Sequence, residues 1–356
     1  MRARVPRPLW MQLIADVLIT GIALVVFAYF HHVRPTQLQS ENVIIPRPTA
    51  PAVTPAPTPE TASDPALSPA VQTQTPEPQP ATNDWGSFAG RFPDKFTSGA
   101  VESGEEDGVY YYRSPNLDIT VTVSRAEAKS TSGTYETTCY VTDFYIRDIS
   151  CLSTGMAKGK YGTGQYEWLK DMASRAGAVV AINGDFYGAR KNGVVIRNGE
   201  LFRSNHSTFD ACVIYWDGVM ATYAPSQWDA KTLAKDGAYQ AWSFGPRLLD
   251  ENGQPMTSFN TTKAVKERNP RTAIGYFEPG HYCFVTVDGR TTVSRGMTLE
   301  ALAEFMYGLG CKAAYNLDGG ESSCLMWQDS VISKPYKDGR KISDAVFLVE
   351  PGEVQP

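Results

Sequence analysis

Apolar and polar positions alternate along much of this chain with the period of two that marks half-buried strands. β-rich runs of this kind cover residues 109–112, 117–123 and 140–146. Three further pairs of short runs flank tight-turn signals, and each reads as a hairpin. Residues 194–196 and 201–202 flank Asn198-Gly199, residues 215–216 and 220–223 flank Asp217-Gly218, and residues 271–277 and 282–287 flank Pro279-Gly280. Helical spacing is rarer. Over 165–176 it puts Trp168, Leu169, Met172 and Ala176 on one face and stops at Gly177. Over 298–309 it aligns Leu299, Leu302, Phe305, Met306 and Leu309, with Thr298 as the cap and Gly310 as the stop. Each helix feeds an apolar strand, 178–182 and 313–317, that runs into a polar, glycine-bearing turn. The pattern predicts an α+β fold with mixed sheets and few helices, and it contains no internal repeat.

The first eighty residues follow neither period. Residues 9–30 are apolar except for Gln12, Asp16 and Thr20, and roughly 20 such residues suffice to cross a bilayer. Arg2, Arg4 and Arg7 precede the run, so residues 1–8 are expected in the cytoplasm and the rest outside, with the helix as a single-pass anchor to the cell membrane. A cleaved signal peptide is the rival reading, with 26–28 as a poor cleavage site; the run exceeds the usual apolar core of about 7–15 residues. Residues 31–83 are rich in Pro, Thr, Ala and Ser, which cannot bury a core, and read as a linker holding the folded part off the membrane. The exported part divides into a β-rich stretch over 84–134 and a main domain over 135–352.

Charge narrows the partners. With 38 acidic against 33 basic residues among 356, the net charge is -5, and no basic field is available to neutralise nucleic-acid phosphates. All six cysteines lie in the exported part, where disulfides are permitted, and Cys139 with Cys151 is the preferred pair. Cys283 and Cys311 also suit buried free thiols. There is no CxxC and only His206 and His281 lie beyond the anchor region, so no zinc site is expected and no cofactor is called for.

Chemistry concentrates where apolar strands end. Residues 181–187 put Asn183, Gly184 and Asp185 at a sheet edge, although Asn-Gly is also an ordinary turn signal. Residues 316–323 combine Asn316, Asp318, Gly319, Gly320, Glu321, Ser322 and Ser323; their backbone N–H groups could form an anion nest, or the segment could be a surface hairpin. Arg271 starts a strand after Pro270, which suits bidentate phosphate binding or a solvated strand end. Asp288-Gly289-Arg290 and Ser294-Arg295-Gly296 form a fourth polar cluster.

Together these segments, with Gly245-Pro246 and residues 269–275, resemble the phosphodiester glycosidase family over roughly residues 135–350. Each motif is weak alone; their order and number carry the resemblance. Glu321 departs from the Gly or Gln that family members often carry there, so it is not taken as catalytic. The resemblance implies an extracytoplasmic hydrolase that cleaves the glycosidic bond of a sugar-1-phosphate diester in a cell-surface or extracellular glycan. A non-catalytic binding module for anionic polysaccharide is the alternative. It further implies Asp318 and Asp185 as the principal carboxylates and Arg271 as the phosphate holder. His206 or Arg295 would assist, Asn183 and Asn316 would orient sugar hydroxyls, and Asp288 stands in reserve. Gly184, Gly319, Gly320, Ser322 and Ser323 would complete the substrate site. A metal-dependent variant would use Asp185, Asp288 and Asp318 as oxygen ligands for Ca²⁺ or Mg²⁺.

Overall fold

The computed structural model describes residues 10–11, 18–24, 43–48, 86–130 and 133–351. Its strands, in chain order, are β1 (Val43–Ile44), β2 (Glu102–Glu106), β3 (Val109–Arg113), β4 (Leu117–Ser130), β5 (Gly133–Ile146), β6 (Leu152–Met156), β7 (Ala178–Asn183), β8 (Gly193–Arg197) and β9 (Glu200–Asn205). They continue with β10 (Ala211–Tyr215), β11 (Met220–Tyr223), β12 (Ala238–Trp242), β13 (Arg271–Glu278), β14 (His281–Val287), β15 (Ala313–Asn316), β16 (Leu325–Trp327), β17 (Ser330–Val331) and β18 (Asp344–Val349). The helices are α1 (Leu169–Ala176), α2 (Ala230–Lys235), α3 (Lys263–Lys266) and α4 (Leu299–Gly308).

Three sheets result, ordered β15-β13-β14-β5-β4-β3-β2, β1-β9-β8-β12-β10-β11 and β17-β16-β7-β18-β6. Among the described residues the strand pairings are all antiparallel, where mixed sheets were expected. Short hairpins allow antiparallel neighbours, whereas parallel ones need long crossovers. The α+β class stands: among the described residues from 86 on, four short helices sit on a framework of strands.

The three expected hairpins form. In the β8–β9 turn both Asn198 (φ 51°) and Gly199 (φ 77°) are left-handed, the conformation a two-residue hairpin turn requires. The β4–β5 hairpin is longer than its hydrophobic alternation suggested, pairing Leu117 with Ile146 and running to Ser130 opposite Gly133. The boundary expected at 134/135 therefore falls inside one hairpin. β2, β3 and β4 share a sheet with β13, β14 and β15, so the stretch before 135 is part of the same body.

The α4 helix starts where expected, with the Thr298 hydroxyl accepting from the Ala301 N–H. α1 starts at Leu169 rather than 165; Trp168 is its cap and makes no side-chain capping bond. The main core joins Ile119, Phe144, Phe284, Tyr315 and Leu317, all buried, to Val180 and Ile182 of β7 and Val346 and Leu348 of β18. All six cysteines are free thiols. Cys139 and Cys151 sit in different clusters of the core and are not joined; Cys283 and Cys311 approach instead, Sγ to Sγ at 3.7 Å.

The linker expected over 31–83 is interrupted. Val43 and Ile44 pair with Leu201 and Glu200 at a sheet edge, and the Ile45 N–H donates to the Gly199 carbonyl. Ile45 is buried, and its carbonyl accepts from Trp216 Nε1. Arg47 forms a 2.7 Å ion pair with Asp148. The chain re-enters beside the same point: the Ile149 N–H donates to the Gly86 carbonyl, and a Cβ on Gly86 would lie 3.0 Å from the Arg47 guanidinium. Of the anchor expected over 9–30, residues 10–11 and 18–24 are described, and they are helical. Among the described residues no helix is long and apolar enough to cross a membrane. The rest of that expectation, and the linker apart from 43–48, lies outside the described residues.

Candidate active site

Two strand ends meet to make the site. β7 delivers Asn183-Gly184-Asp185 and β15 delivers Asn316-Leu317-Asp318, and the two turns are bonded to each other. The Asp318 N–H donates to the Gly184 carbonyl at 3.1 Å, and Asn183 Nδ2 donates to the Asp318 carbonyl at 2.7 Å. Asp318 is thereby fixed at the base of a cleft of about 260 Å³. Its carboxylate accepts from Arg340 Nη2 at 2.7 Å, from Ser322 Oγ at 2.5 Å and from its neighbour Gly319 N at 2.9 Å. Arg340 Nε also donates to Ser322 Oγ at 2.6 Å, closing a three-membered network. Burial raises the Asp318 pKa, against the opposing pull of Arg340 and Ser322.

Cations dominate the walls. Arg271, Arg290 and Arg340 line the cleft against the carboxylates of Asp318 and Glu321. Glu321 is in turn drawn to Lys337, 3.5 Å away. Arg271 is 2% exposed and spends its Nε on the Met297 carbonyl and an Nη on the Glu267 carbonyl, with no carboxylate among its bonds. Burial pulls its pKa down to about 9, Tyr135 opposes this, and the like charge of Arg290 pushes it further down. Arg290 sits in a left-handed backbone position (φ 59°), bonded to Asn269 Oδ1 and lying over the Tyr336 ring. A half-buried arginine, Arg190, lies over the ring of Phe244, which also lines the cleft. Arg271 is buried, Arg340 and Arg190 are half-buried and Arg290 is exposed, and guanidinium groups so gathered are complementary to a phosphate.

Beside this cleft lies a second charged group. Arg197 Nε and Nη2 both donate to Asp344 Oδ2, at 3.0 and 2.7 Å, and Nη2 is 3.4 Å from Asp185 Oδ2. Asp185 Oδ1 accepts from the Tyr187 N–H. Gly184 is required here, because a Cβ would lie 2.6 Å from the Asp344 carboxyl. One guanidinium thus serves two carboxylates in a dry setting. Burial pushes the Asp344 pKa from 3.8 to about 8, Arg197 opposes it, and the charges of Asp185 and Asp318 add to the rise. A carboxyl that holds its proton more tightly when folded contributes stability that is full below 3.8 and drains as the pH rises towards 8. The thermal midpoint should therefore fall across that window, and Asp344→Asn should flatten the slope. Parallel profiles for the two proteins would refute the assignment.

Residues 176–349 match the sequence model of the phosphodiester glycosidase domain. This domain belongs to the phosphodiester glycosidase family. The chain is 36% identical over 204 residues to the SPbeta prophage-derived uncharacterized protein YomE of Bacillus subtilis, covering 54% of this chain and 31% of that protein. It is 32% identical over 109 residues to the N-acetylglucosamine-1-phosphodiester alpha-N-acetylglucosaminidase of Bos taurus, and 26% identical over 231 residues to that of Mus musculus. Those matches cover 28% and 58% of this chain, but 20% and 44% of the two proteins. The chain thus spans less than half the length of each of these relatives. The zebrafish N-acetylglucosamine-1-phosphodiester alpha-N-acetylglucosaminidase catalytic domain, auto-inhibited by its pro-peptide, shares the fold. Its TM-score is 0.55 at 21% identity, over 76% of this chain and 96% of that one. A hypothetical protein from Synechocystis shares it with a TM-score of 0.51 at 14% identity, over 70% of this chain and 64% of that one.

Within this phosphodiester glycosidase domain the expected site residues separate. Asp318, Arg271, Asn316, Gly319 and Gly320 line the cleft, and Ser322 braces Asp318. Asn316 Oδ1 is buried without a partner, as is Ser323 Oγ. Asn183 is not free to orient a sugar: its Oδ1 accepts from Thr272 Oγ1 and the Cys324 N–H while its amide holds the Asp318 loop. Asp185 is not among the cleft-lining residues, because Arg197 and the Tyr187 N–H hold it aside. Asp288 is a brace that accepts from the Lys334 N–H and Tyr140 Oη. His206 and Arg295 are exposed and outside the cleft lining.

The expected anion nest does not form either. The N–H groups of Gly319, Gly320, Ser322 and Ser323 are donated to Asp318, Pro270, Gly319 and Gly320, so anion binding falls to guanidinium groups. Among the described residues no three His, Cys, Asp or Glu side chains converge as metal ligands would. Asp185, Asp288 and Asp318 are held by separate partners. Arg340, Arg197, Arg190 and Asp344 were missed. Asp344, a lone acid opening an apolar strand, was the legible signal among them.

Proposed function

We propose that this chain hydrolyses the glycosidic bond of a sugar-1-phosphate diester in a glycan on the outer side of a membrane. One observation carries the reading: a single buried carboxylate, Asp318, stands at the base of a cleft whose walls hold three guanidinium groups. The chemistry asks for little more. The departing phosphomonoester has a second pKa of about 6, so the C1–O bond breaks with the electron pair left on phosphate and no strong acid is needed to protonate it. Arg271 and Arg290 bind that phosphate and stabilise the charge it gains. Asp318 supplies negative charge opposite the oxocarbenium-like carbon; water oxygen forms the new bond to C1 while one of its protons passes to the Asp318 carboxylate and on to solvent. Arg340 and Ser322 fix the carboxylate's direction and oppose the rise in its pKa that burial causes. The extracytoplasmic setting rests on the apolar run 9–30 behind Arg2, Arg4 and Arg7.

The test is a hydrolysis assay on the full chain with N-acetylglucosamine-1-phosphate diesters, with and without EDTA. Free sugar and phosphomonoester are expected in equal amounts in both arms. Loss of activity with EDTA would bring a metal into the mechanism. Binding without cleavage across a panel of sugar-1-phosphate diesters would replace the hydrolase with the polysaccharide-binding module.

A further inference from the structure

Beyond Arg340 the surface opens into a second depression, of about 460 Å³, between the start of α1 and the loop that follows β17. Arg340 and Ser322 line it, and these same side chains hold Asp318 on the other side. The two cavities therefore share a wall. The new one is apolar along Trp168, Pro335 and Ile342, with the carboxylates of Asp171 and Asp338 among its lining residues.

Trp168 is the residue to explain. It is 44% exposed, and the Lys341 ammonium lies over its ring at 6.0 Å from the centroid. It occupies the cap position of α1, where Ser, Thr, Asp or Asn would satisfy the free N–H groups, and its side chain caps nothing. A broad apolar face beside hydrogen-bonding carboxylates is what a pyranose ring requires: its C–H face packs on an aromatic ring while its hydroxyls donate to acceptors.

We infer that this depression is a subsite for the aglycone sugar, the one joined to the phosphate on the side away from the scissile bond. This rests on the sugar-1-phosphate diesterase reading. It follows because Arg340 stands between the phosphate-holding cations and Trp168. A ligand reaching both places its second ester arm across that wall. The natural substrate is then a phosphate-linked glycan of at least two sugars.

The experiment compares two ligands, N-acetylglucosamine-1-phosphate esterified to methanol and the same group esterified to a hexose. Turnover is followed with the wild-type chain, and binding by calorimetry with the Asp318→Asn chain, each with and without Trp168→Ala. Trp168→Ala should weaken the hexose ester about tenfold in KM and in Kd and leave the methyl ester unchanged, while Trp168→Phe should recover most of the loss. Equal effects on both ligands, or none on the hexose ester, would overturn the subsite. Trp168-dependent binding of the hexose ester with no cleavage of either would keep the subsite and sink the hydrolase.

Discussion

Asp318→Asn is expected to lower turnover of a sugar-1-phosphate diester about a thousandfold, the usual scale for a group acting directly on the reacting atoms. The substitution keeps shape, and its one carbonyl oxygen can replace Oδ2, which accepts from Ser322 and Arg340, while the acceptor for the Gly319 N–H is lost. It removes the charge that faces C1, and it leaves Arg340 without its ion pair. Folding should tolerate this well, because burial already penalises the charged carboxylate and an amide escapes that penalty. The expected signature is a collapse in kcat with a nearly unchanged thermal midpoint and substrate KM. Full kcat in the Asp318→Asn chain would take this residue out of the mechanism; a large drop in midpoint would make its role structural.

Arg197→Met should act in the opposite way, costing about 3–5 kcal/mol of stability, as the loss of one partner from a buried ion pair does. Arg197 is the cation bonded to both Asp344 and Asp185, and its own side chain is 2% exposed. Met fills similar volume, so the loss measures charge rather than a cavity. Adding Asp344→Asn should restore part of the loss, since one of the two stranded carboxylates disappears, and a double-mutant cycle isolates that coupling. Denaturant titration of the four proteins reads it directly. The titrations are run at about pH 9, above the Asp344 pKa of about 8, where this carboxyl is charged; a midpoint unmoved there by Arg197→Met would mean that the arginine gains nothing from it.

Legibility from sequence followed a physical line. Hairpins were readable because their turns depend on one or two residues, as at Asn198-Gly199, and α4 because its cap and stop are local. β12 escaped because Ala238–Trp242 is buried throughout and shows no alternation. The Asp318 loop was readable because glycines and polar groups interrupt an apolar strand. Its partner Arg340 was not: it lies in the polar run Lys337-Asp338-Gly339-Arg340-Lys341, where nothing distinguishes a solvated arginine from one that grips a carboxylate 22 positions earlier. Asn183 and Asp288 failed in the reverse sense. Their residue types suit ligand binding, and tertiary contacts use them up as braces.

The docking of residues 43–48 changes what the Pro-rich region can do as a leash. Arg47 and Gly86 sit side by side, so the two ends of the Pro-rich segment meet at one spot on the body. However many prolines it holds, that segment adds nothing to the greatest distance between residue 30 and the folded body. That distance is bounded by residues 31–42 alone, a contour of about 40 Å, where a spacer running to residue 85 would allow about 190 Å. With residues 9–30 in a membrane, as proposed above, the site would reach substrate only within that distance of the lipid surface. A soluble version should accordingly begin before Val43; one cut after the Pro-rich run would lose the edge strand and its clasp on Asp148.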